Sequence, residues 1–209
     1  MYIPAAFAEP DQTRLHDFID QNSFGLLVSH VDGVLFATHL PLLLDRSAGP
    51  HGTLVGHMAR ANPQWRQLAG PTALVIFSGP HVYVSPTWYE AEKVVPTWNY
   101  TAVHAYGRAQ VIEDSAALLE IVRETVQTYE QAMTRPWSVD GSQRFVEQRL
   151  AHVVGFRIEI DKIEGKFKLN QNHPVERRRK VVRALEEQDG ENAQAIAALM
   201  RAMLPTEEG

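Results

Sequence analysis

The chain contains no cysteine in its 209 residues. This absence excludes disulfide bonds, thiolate metal ligands and cysteine nucleophiles, and it is typical of proteins of the reducing cytoplasm. Long apolar runs are missing too. The longest, at 40–44 and 73–77, are far shorter than the roughly 20 residues that span a bilayer. We therefore expect a cytoplasmic protein without membrane contact.

The signatures of several large enzyme classes are also absent. The sequence has no G-x-G-x-x-G, no G-x-x-x-x-G-K-S/T, no G-x-S-x-G and no H-E-x-x-H, so it lacks the common nucleotide-binding loops, the hydrolase nucleophile elbow and the zinc-protease helix. Its nine histidines do not have helical ligand spacing, and we expect no metal site. No residue is predicted to be catalytic.

What is present is ordinary for a folded globular protein, with 44% hydrophobic and 22% charged residues. The net charge of −5 is unevenly distributed. Residues 162–183 carry eight Lys or Arg against two Glu, whereas residues 184–209 carry six acids against Arg201. Any contact with a polyanion would therefore be local.

Helical periodicity and capping residues predict six helices. The first follows Asp11 and places Leu15, Phe18 and Ile19 on one face. The others are predicted at Pro63–Ala69, after Asp114 with a stripe of Leu119, Val122, Val126 and Tyr129, at Phe145–Leu150, at Pro174–Glu187 and at Glu191–Leu204.

Short β-branched or alternating segments predict six or seven antiparallel strands, with hairpins at Asp32-Gly33 and Gly79-Pro80. The predicted strands are Phe24–His30, Val34–Leu44, Thr53–Met58, Thr72–Ser78, His81–Ser85, Trp98–Glu113 and Val154–Ile163. Since β-α-β spacing is absent, the fold class is mainly β with α decorations (α+β), an antiparallel barrel or twisted sheet. We expect this domain over residues 1–172, and a C-terminal helical hairpin and acidic tail over residues 173–209, packed on the barrel or on a dimer.

Three segments carry polar groups suited to a ligand. In the first, G-H-M-A-R-A-N-P-Q-W at 56–65, a strand leads into a helix start, and Arg60 adds a bidentate donor. Free backbone N–H groups and a guanidinium together suit a phosphate. The alternative is that Arg60 pairs with a surface acid and Asn62 only caps the helix.

In the second segment, V-P-T-W-N-Y at 95–100, an aromatic wall and polar groups occur within three positions, at Thr97, Trp98 and Asn99. A flat heteroaromatic ring is bound by such a combination. The alternative is that Trp98 is an ordinary strand aromatic.

The third segment, G-K-F-K-L-N-Q-N at 165–172, places Lys166, Lys168 and Asn170 on one side of an extended chain. Such a row could meet a phosphate or a ring carbonyl, or it could be a solvated edge protected by lysines. Thr38 and His39 lie in an apolar run, where His39 is expected to be a hydrogen-bonded core histidine unless a ligand lies beside it.

Five motifs, T-H-L-P at 38–41, the segment 56–65, Y-V-S-P-T-W-Y at 83–89, the segment 95–100 and the segment 165–172, occur together in one order. In these motifs the chain resembles the PaiB-like family of FMN-binding negative transcriptional regulators, from Met1 to about Leu204. The resemblance implies an FMN-binding split β-barrel, a homodimer and a cofactor at the subunit interface. The cofactor-binding residues that it implies are Thr38, His39, Leu40, Arg60, Asn62, Thr97, Trp98, Asn99, Lys166, Lys168 and Gln171.

The resemblance implies a regulator of transcription rather than an enzyme. Such a regulator could act as a flavin-dependent sensor. An FMN-dependent oxidoreductase related to pyridoxamine-phosphate oxidases is the alternative, because split barrels host both roles. A binding module for flavin or haem, with His39 or His57 as axial ligand, is a third hypothesis. The run Arg177, Arg178, Arg179 and Lys180 could contact DNA phosphates, although the helix after it has few charges for reading bases.

Overall fold

The computed structural model describes residues 1–205. Within them the strands are β1 (Ala8–Glu9), β2 (Phe24–Val31), β3 (Val34–Pro41), β4 (Leu43–Asp45), β5 (Thr53–Ala59), β6 (Thr72–Val84), β7 (Thr97–Ile112) and β8 (Val153–Lys168). The α-helices are α1 (Gln12–Gln21), α2 (Ser115–Glu130), α3 (Gln143–Leu150), α4 (Val175–Glu186) and α5 (Glu191–Ala202). Short 3-10 helices occur at Ala5–Phe7, Pro63–Gln67, Pro86–Tyr89 and Asp140–Ser142.

All eight strands belong to one mostly antiparallel sheet, which confirms the predicted fold class. The strand order is β3-β2-β6-β7-β8-β5-β4, and β1 pairs with β8. Because β3 and β4 end this order, the sheet is not closed. The long strand β7 contains Gly107, where an added Cβ would lie 2.0 Å from the backbone oxygen of Glu159. Gly107 is therefore required by a close backbone approach.

The hairpin of β2 and β3 forms where the Asp-Gly pair predicts it. Asp32 and Gly33 have φ angles of +52° and +77°, the left-handed conformation that two-residue hairpin turns require. The pairing begins with Val31 opposite Val34. The predicted strand 34–44 is divided, since β3 ends at Pro41 and β4 pairs separately with β5.

The predicted hairpin at Gly79-Pro80 is wrong, because β6 runs without interruption from Thr72 to Val84. Gly79 does not have a positive φ angle. A residue before proline is biased towards extended backbone, so this dipeptide continues a strand as readily as it forms a turn. The same two residues that indicate a turn by composition therefore lie inside the sheet.

The helix predicted at Pro63–Ala69 is a 3-10 helix of five residues, Pro63–Gln67. Asn62 caps it, since its Oδ1 accepts a hydrogen bond from the backbone N–H of Gln64 at 2.9 Å. The helices predicted after Asp11 and Asp114, and the three later ones, are present as α1 to α5. In α2 the most buried side chains are Leu118 and Ile121, not the predicted stripe.

The chain forms two compact units. The first contains Met1–Asp11, Ser78–Val103 and the chain from Glu164, and its core includes Val181, Leu185, Ile196 and Met200 of α4 and α5. The second contains Gln12–Phe77 and His104–Ile163, with buried residues such as Leu27, Phe77, Leu54, Phe156 and Ile158. The division expected at residue 172 stays a prediction, and residues 206–209 of the expected acidic tail lie outside the described residues.

Within residues 1–205, no helix is both long and apolar enough to cross a membrane. No three side chains of His, Asp or Glu in this range are grouped as metal ligands would be.

Candidate functional site

The predicted site residues fall into two groups. Thr97, Trp98, Asn99, Lys166, Lys168 and Gln171 belong to the first unit, and Thr38, His39, Leu40, Arg60 and Asn62 belong to the second unit.

In the first unit, the end of β8 holds two lysines. The buried Lys166 donates from Nζ to the backbone oxygen of Tyr2 at 3.0 Å, and its ammonium lies 5.2 Å from the ring centre of Tyr100. Lys168 donates to Thr97 Oγ1 and, at 2.6 Å, to the backbone oxygen of Trp98. Because these oxygens are neutral, the hydrogen bonds solvate both charges without cancelling them.

The charges of the two lysines affect each other. Burial lowers the pKa of Lys168, and the positive charge of Lys166 lowers it further. Neither ammonium contacts a carboxylate within the described part of the chain. An electron-rich group arriving here would relieve the repulsion between them, which makes this pair a candidate site for an anion or a carbonyl group.

Next to Lys168 lies an exposed aromatic surface. The side chain of Trp98 is 54% exposed. Its ring meets Tyr83 edge to face at 6.0 Å between centroids and lies 6.4 Å from the ring of His81. An indole with one open face beside a cation can pack against a flat ring. Of the first group, the structure thus brings Thr97, Trp98 and Lys168 together, with Lys166 nearby.

Asn99, Asn170 and Gln171 face elsewhere. The fully buried Asn99 donates from Nδ2 to Sδ of Met200 in α5 at 3.3 Å. The Gln171 amide closes a local turn, with Nε2 donating to the Phe167 oxygen and Oε1 accepting from the Leu169 N–H. Asn170 follows the end of β8 with φ +62°, so the predicted alternation stops at Lys168. Roles for Asn99 and Gln171 at a ligand stay predictions.

In the second unit, Arg60 follows the last residue of β5. Its Nη1 donates to Glu113 Oε2 at 2.7 Å, and its guanidinium lies 5.6 Å from the ring centre of Trp65. Trp65 in turn donates from Nε1 to the Arg60 backbone oxygen at 2.9 Å. The Arg60 backbone N–H is bonded to the oxygen of His152. Arg60 and Glu113 together line a cavity of about 480 Å³.

Thr38 and Asn62 belong to a hydrogen-bonded network centred on the buried Gln64. Thr38 Oγ1 donates to Gln64 Oε1 at 2.5 Å and accepts from Asn62 Nδ2 at 2.9 Å. Gln64 Nε2 donates to the Leu27 oxygen and to Ser29 Oγ. The network fastens the 3-10 helix to the β2–β3 hairpin, so its polar groups are already satisfied.

His39 and His57 lie in different surroundings from each other. His39 was expected in the core, but it is exposed and stacks on Phe24, with ring centres 6.1 Å apart. Leu40 is buried. Burial lowers the pKa of His57, and its buried Nδ1 has no hydrogen-bond partner among residues 1–205. His57 is therefore neutral near pH 7.

The basic run at 177–180 is not one open cationic face. Arg178 is buried, and its Nη2 donates to the Met203 oxygen at 2.9 Å. Lys180 forms ion pairs with Glu90 at 2.8 Å and Glu176 at 3.6 Å. Half-buried Arg177 and Arg179 are the other two members of the run.

Two groups that matter for the site were missed from the sequence. Glu113 meets Arg60 across 53 positions of the chain, and Tyr2 meets Lys166 across 164 positions. No local pattern indicates such pairs. The only available signal is that Glu113 is the last residue of the long predicted strand, where a side chain at a strand end can meet another strand end.

The open, mostly antiparallel sheet with several helices has the fold of the flavin-binding split-barrel proteins. The chain belongs to the family described as "Putative FMN-binding domain", whose model matches residues 1–162. This confirms the resemblance and FMN as the cofactor.

The chain is similar in sequence to a bacterial relative and in structure to two solved flavoproteins. "Protease synthase and sporulation protein PAI 2" of Bacillus subtilis is 38% identical over 202 residues, 96% of each chain. The flavocytochrome Anf3 of Azotobacter vinelandii has a TM-score of 0.58 at 18% identity, over 77% of this chain and 69% of its own. The FAD and haem binding protein of Mycobacterium smegmatis has a TM-score of 0.56 at 19% identity, over 77% and 73%. The two structures show the fold alone.

Each group by itself has chemistry that fits a part of FMN. In the second unit, the Arg60 guanidinium suits a phosphate. In the first unit, the ammonium groups of Lys166 and Lys168, which no carboxylate neutralises within residues 1–205, suit a carbonyl edge, and the exposed Trp98 suits a flat ring. The cofactor-binding roles of these residues stay predictions.

Proposed function

We propose that the protein is a homodimeric FMN-binding regulator of transcription, in which flavin occupancy or redox state alters partner binding. One observation carries the flavin half of this proposal. The ammonium groups of Lys166 and Lys168 are bonded to neutral oxygens beside the exposed Trp98. Such a pair is suited to an electron-rich ring edge.

In the proposed site Arg60 receives the phosphate, as a guanidinium binds phosphate oxygens in a bidentate manner. Lys168, supported by Lys166, donates to the carbonyl edge of the ring, and Trp98 packs against its face. Bound FMN supplies electron-transfer chemistry, and these side chains bind and orient it. His39 and Asn62, which belong to the same unit as Arg60, are retained as predicted neighbours of the cofactor.

The homodimer is proposed because the site draws on two separate groups and because large apolar side chains are exposed. In the second unit these include Phe24 and the adjacent pair Val34 and Leu35 at the hairpin tip of an edge strand. Tyr2 and Val95 are exposed in the first unit. Apolar surface of this kind is commonly covered by a partner. A second copy would supply the complementary half of each site.

The regulatory half follows the family resemblance and the name of the Bacillus subtilis relative, which links that protein to protease synthesis and sporulation. If DNA is bound directly, we propose Arg177 as the contact, because Arg178 and Lys180 are engaged within the unit and Arg179 donates to the Pro205 oxygen at 3.5 Å. A cytoplasmic location is part of the same proposal.

The flavin site is tested by comparing FMN with riboflavin, which lacks the phosphate. Arg60→Gln is expected to weaken FMN binding by about tenfold, the size of one charge-assisted hydrogen bond, and to leave riboflavin binding unchanged. Arg66→Gln is the matched control, because Arg66 lies 5.5 Å from the centre of the same Trp65 ring without an acid partner among residues 1–205. Binding is measured by quenching of flavin fluorescence. An equal loss of affinity for FMN and riboflavin would show that Arg60 does not bind the phosphate.

The regulatory role is tested by retention of DNA fragments at increasing salt, with and without FMN. Arg177→Gln should lower the slope of log affinity against log salt by about one, the value for one phosphate contact. Lys180→Gln should not change it. Salt-independent or absent retention would contradict direct DNA binding.

An FMN-dependent oxidoreductase is the second candidate. It is favoured by the two lysines beside the proposed ring position, because positive charge at a flavin carbonyl edge stabilises the negative charge of the reduced ring. The discriminating measurement is the absorbance of the FMN-loaded protein after NADPH is added. Rapid repeated bleaching would favour the oxidoreductase, and a stable spectrum would favour the regulator.

A further inference from the structure

We propose that Glu113 is a built-in counter-ion that competes with the flavin phosphate for Arg60 and thereby lowers the affinity of the site for anions. This inference rests on the proposed function. It deepens it by assigning a competing role at the phosphate position to a carboxylate outside the five family motifs.

The fold holds Arg60 and Glu113 next to each other, because the backbone of each residue is fixed by the elements beside it. Arg60 directly follows β5, and its backbone N–H is bonded to the oxygen of His152 at 2.8 Å. Glu113 stands between the end of β7 at Ile112 and Asp114, whose side chain caps α2. Both backbone positions are therefore fixed, which lowers the entropy lost when the side chains meet.

The Glu113 carboxylate occupies the position that an incoming anion would use. It accepts from Nη1 of Arg60, while the ring of Trp65 lies beside the same guanidinium. The adjoining cavity is lined by Arg60 and Glu113 and also by Glu147. With two acids and one base in its lining, this cavity repels an anion that cannot displace Glu113 from the guanidinium.

The outcome of the competition depends on charge. The two charged side chains are 35% and 56% exposed, so their attraction is screened and can be exchanged. A phosphate monoester carries nearly two negative charges and three acceptor oxygens at pH 7, against one charge on the carboxylate. FMN phosphate can therefore replace Glu113, whereas a monoanion gains little by doing so.

The experiment measures FMN and riboflavin affinities of Glu113→Gln by fluorescence quenching. Removing the competing charge should tighten FMN binding by roughly twofold to fivefold, the range of exposed ion pairs, with riboflavin unchanged. Glu147→Gln is the control, since Glu147 lines the same cavity but accepts from Gln143 at 2.8 Å. It should change FMN affinity by no more than about 1.5-fold.

A double variant shows whether the gain passes through the guanidinium. In the Arg60→Gln background, Glu113→Gln should give no further gain, because no cation is left to compete for. Circular dichroism of each variant reports folding, and Glu113→Asp, which keeps the charge but shortens the reach, should give an intermediate gain. A gain that persists without Arg60 would overturn the competition.

The two proposals fail differently. If wild-type protein binds FMN and Arg60→Gln weakens it, but Glu113→Gln leaves FMN affinity unchanged or lower, the counter-ion role is wrong and the flavin site stands. If wild-type protein does not prefer FMN to riboflavin, the phosphate assignment of Arg60 fails, and the competition fails with it.

Discussion

The two cationic groups of this protein are balanced in opposite ways. In the first unit, the charges of Lys166 and Lys168 are met by neutral oxygens and by aromatic rings. In the second unit, the charge of Arg60 is met by a carboxylate. A single polypeptide thus contains one cationic site without a counter-ion among its described residues and one site with its own counter-ion.

The difference lies in the partners of the charges and has consequences for binding. Lys166 is buried and Lys168 is half-buried, and because their hydrogen-bond partners among the described residues are neutral oxygens, their charges are available to a ligand. In the empty protein the charge of Arg60 is stabilised by Glu113. A ligand therefore gains only the difference between its own interaction with Arg60 and the interaction that it replaces. We therefore expect the lysine pair to contribute affinity and the Arg60–Glu113 pair to contribute selectivity.

Removing the uncompensated charge should have the largest effect. Lys168→Met is expected to weaken both FMN and riboflavin by about 10- to 100-fold, because the donor to the ring edge is lost for either flavin. Lys162→Met is the matched control on the same strand, where the ammonium lies over Tyr106. Isothermal titration measures the affinities. A loss of affinity for FMN but not for riboflavin would show that Lys168 binds the phosphate and not the ring edge, contrary to our assignment.

Alkaline pH should separate the two groups without mutation. The pKa of Lys168 is lowered from 10.5 by burial and by Lys166, so flavin affinity should fall as the pH rises through a range below 10.5. The unfolded chain keeps its proton up to about 10.5, so over that range the same titration should increase the free energy of unfolding. Lys166→Met should move the fall in affinity to higher pH. Identical profiles for wild type and Lys166→Met would contradict the coupling of the lysines.

Most of the fold could be predicted because its signals are local. The φ angles of Asp32 and Gly33 and the cap formed by Asp114 depend on neighbouring residues, and both features are present where the sequence indicates them. Gly79-Pro80 was misread because its composition fits both a turn and an extended chain.

The site was predicted less completely because its decisive contacts are distant in sequence. Alternation correctly places Lys166 and Lys168 close enough to interact. It gives no indication that Asn99 packs on Met200, 101 positions away, or that Arg60 meets Glu113. Among the two interpretations of segment 56–65, the structure contains both the surface ion pair and the Asn62 cap, and the phosphate role stays a prediction.

The smallest expected effect belongs to a compensated cation outside the flavin site. Lys180 is paired with Glu90 and Glu176 in the first unit, and although its own side chain is only 21% exposed, the two carboxylate side chains are 71% and 82% exposed. Lys180→Gln should leave FMN and riboflavin affinity within about twofold of wild type, because a screened surface pair exerts little force at a distance. Equilibrium flavin titration at low and at physiological salt measures this, with Arg179→Gln on the same helix as the control. A large loss of flavin affinity in Lys180→Gln would mean that α4 supports the lysine site, and the contrast between compensated and uncompensated charges would no longer explain which cations bind the cofactor.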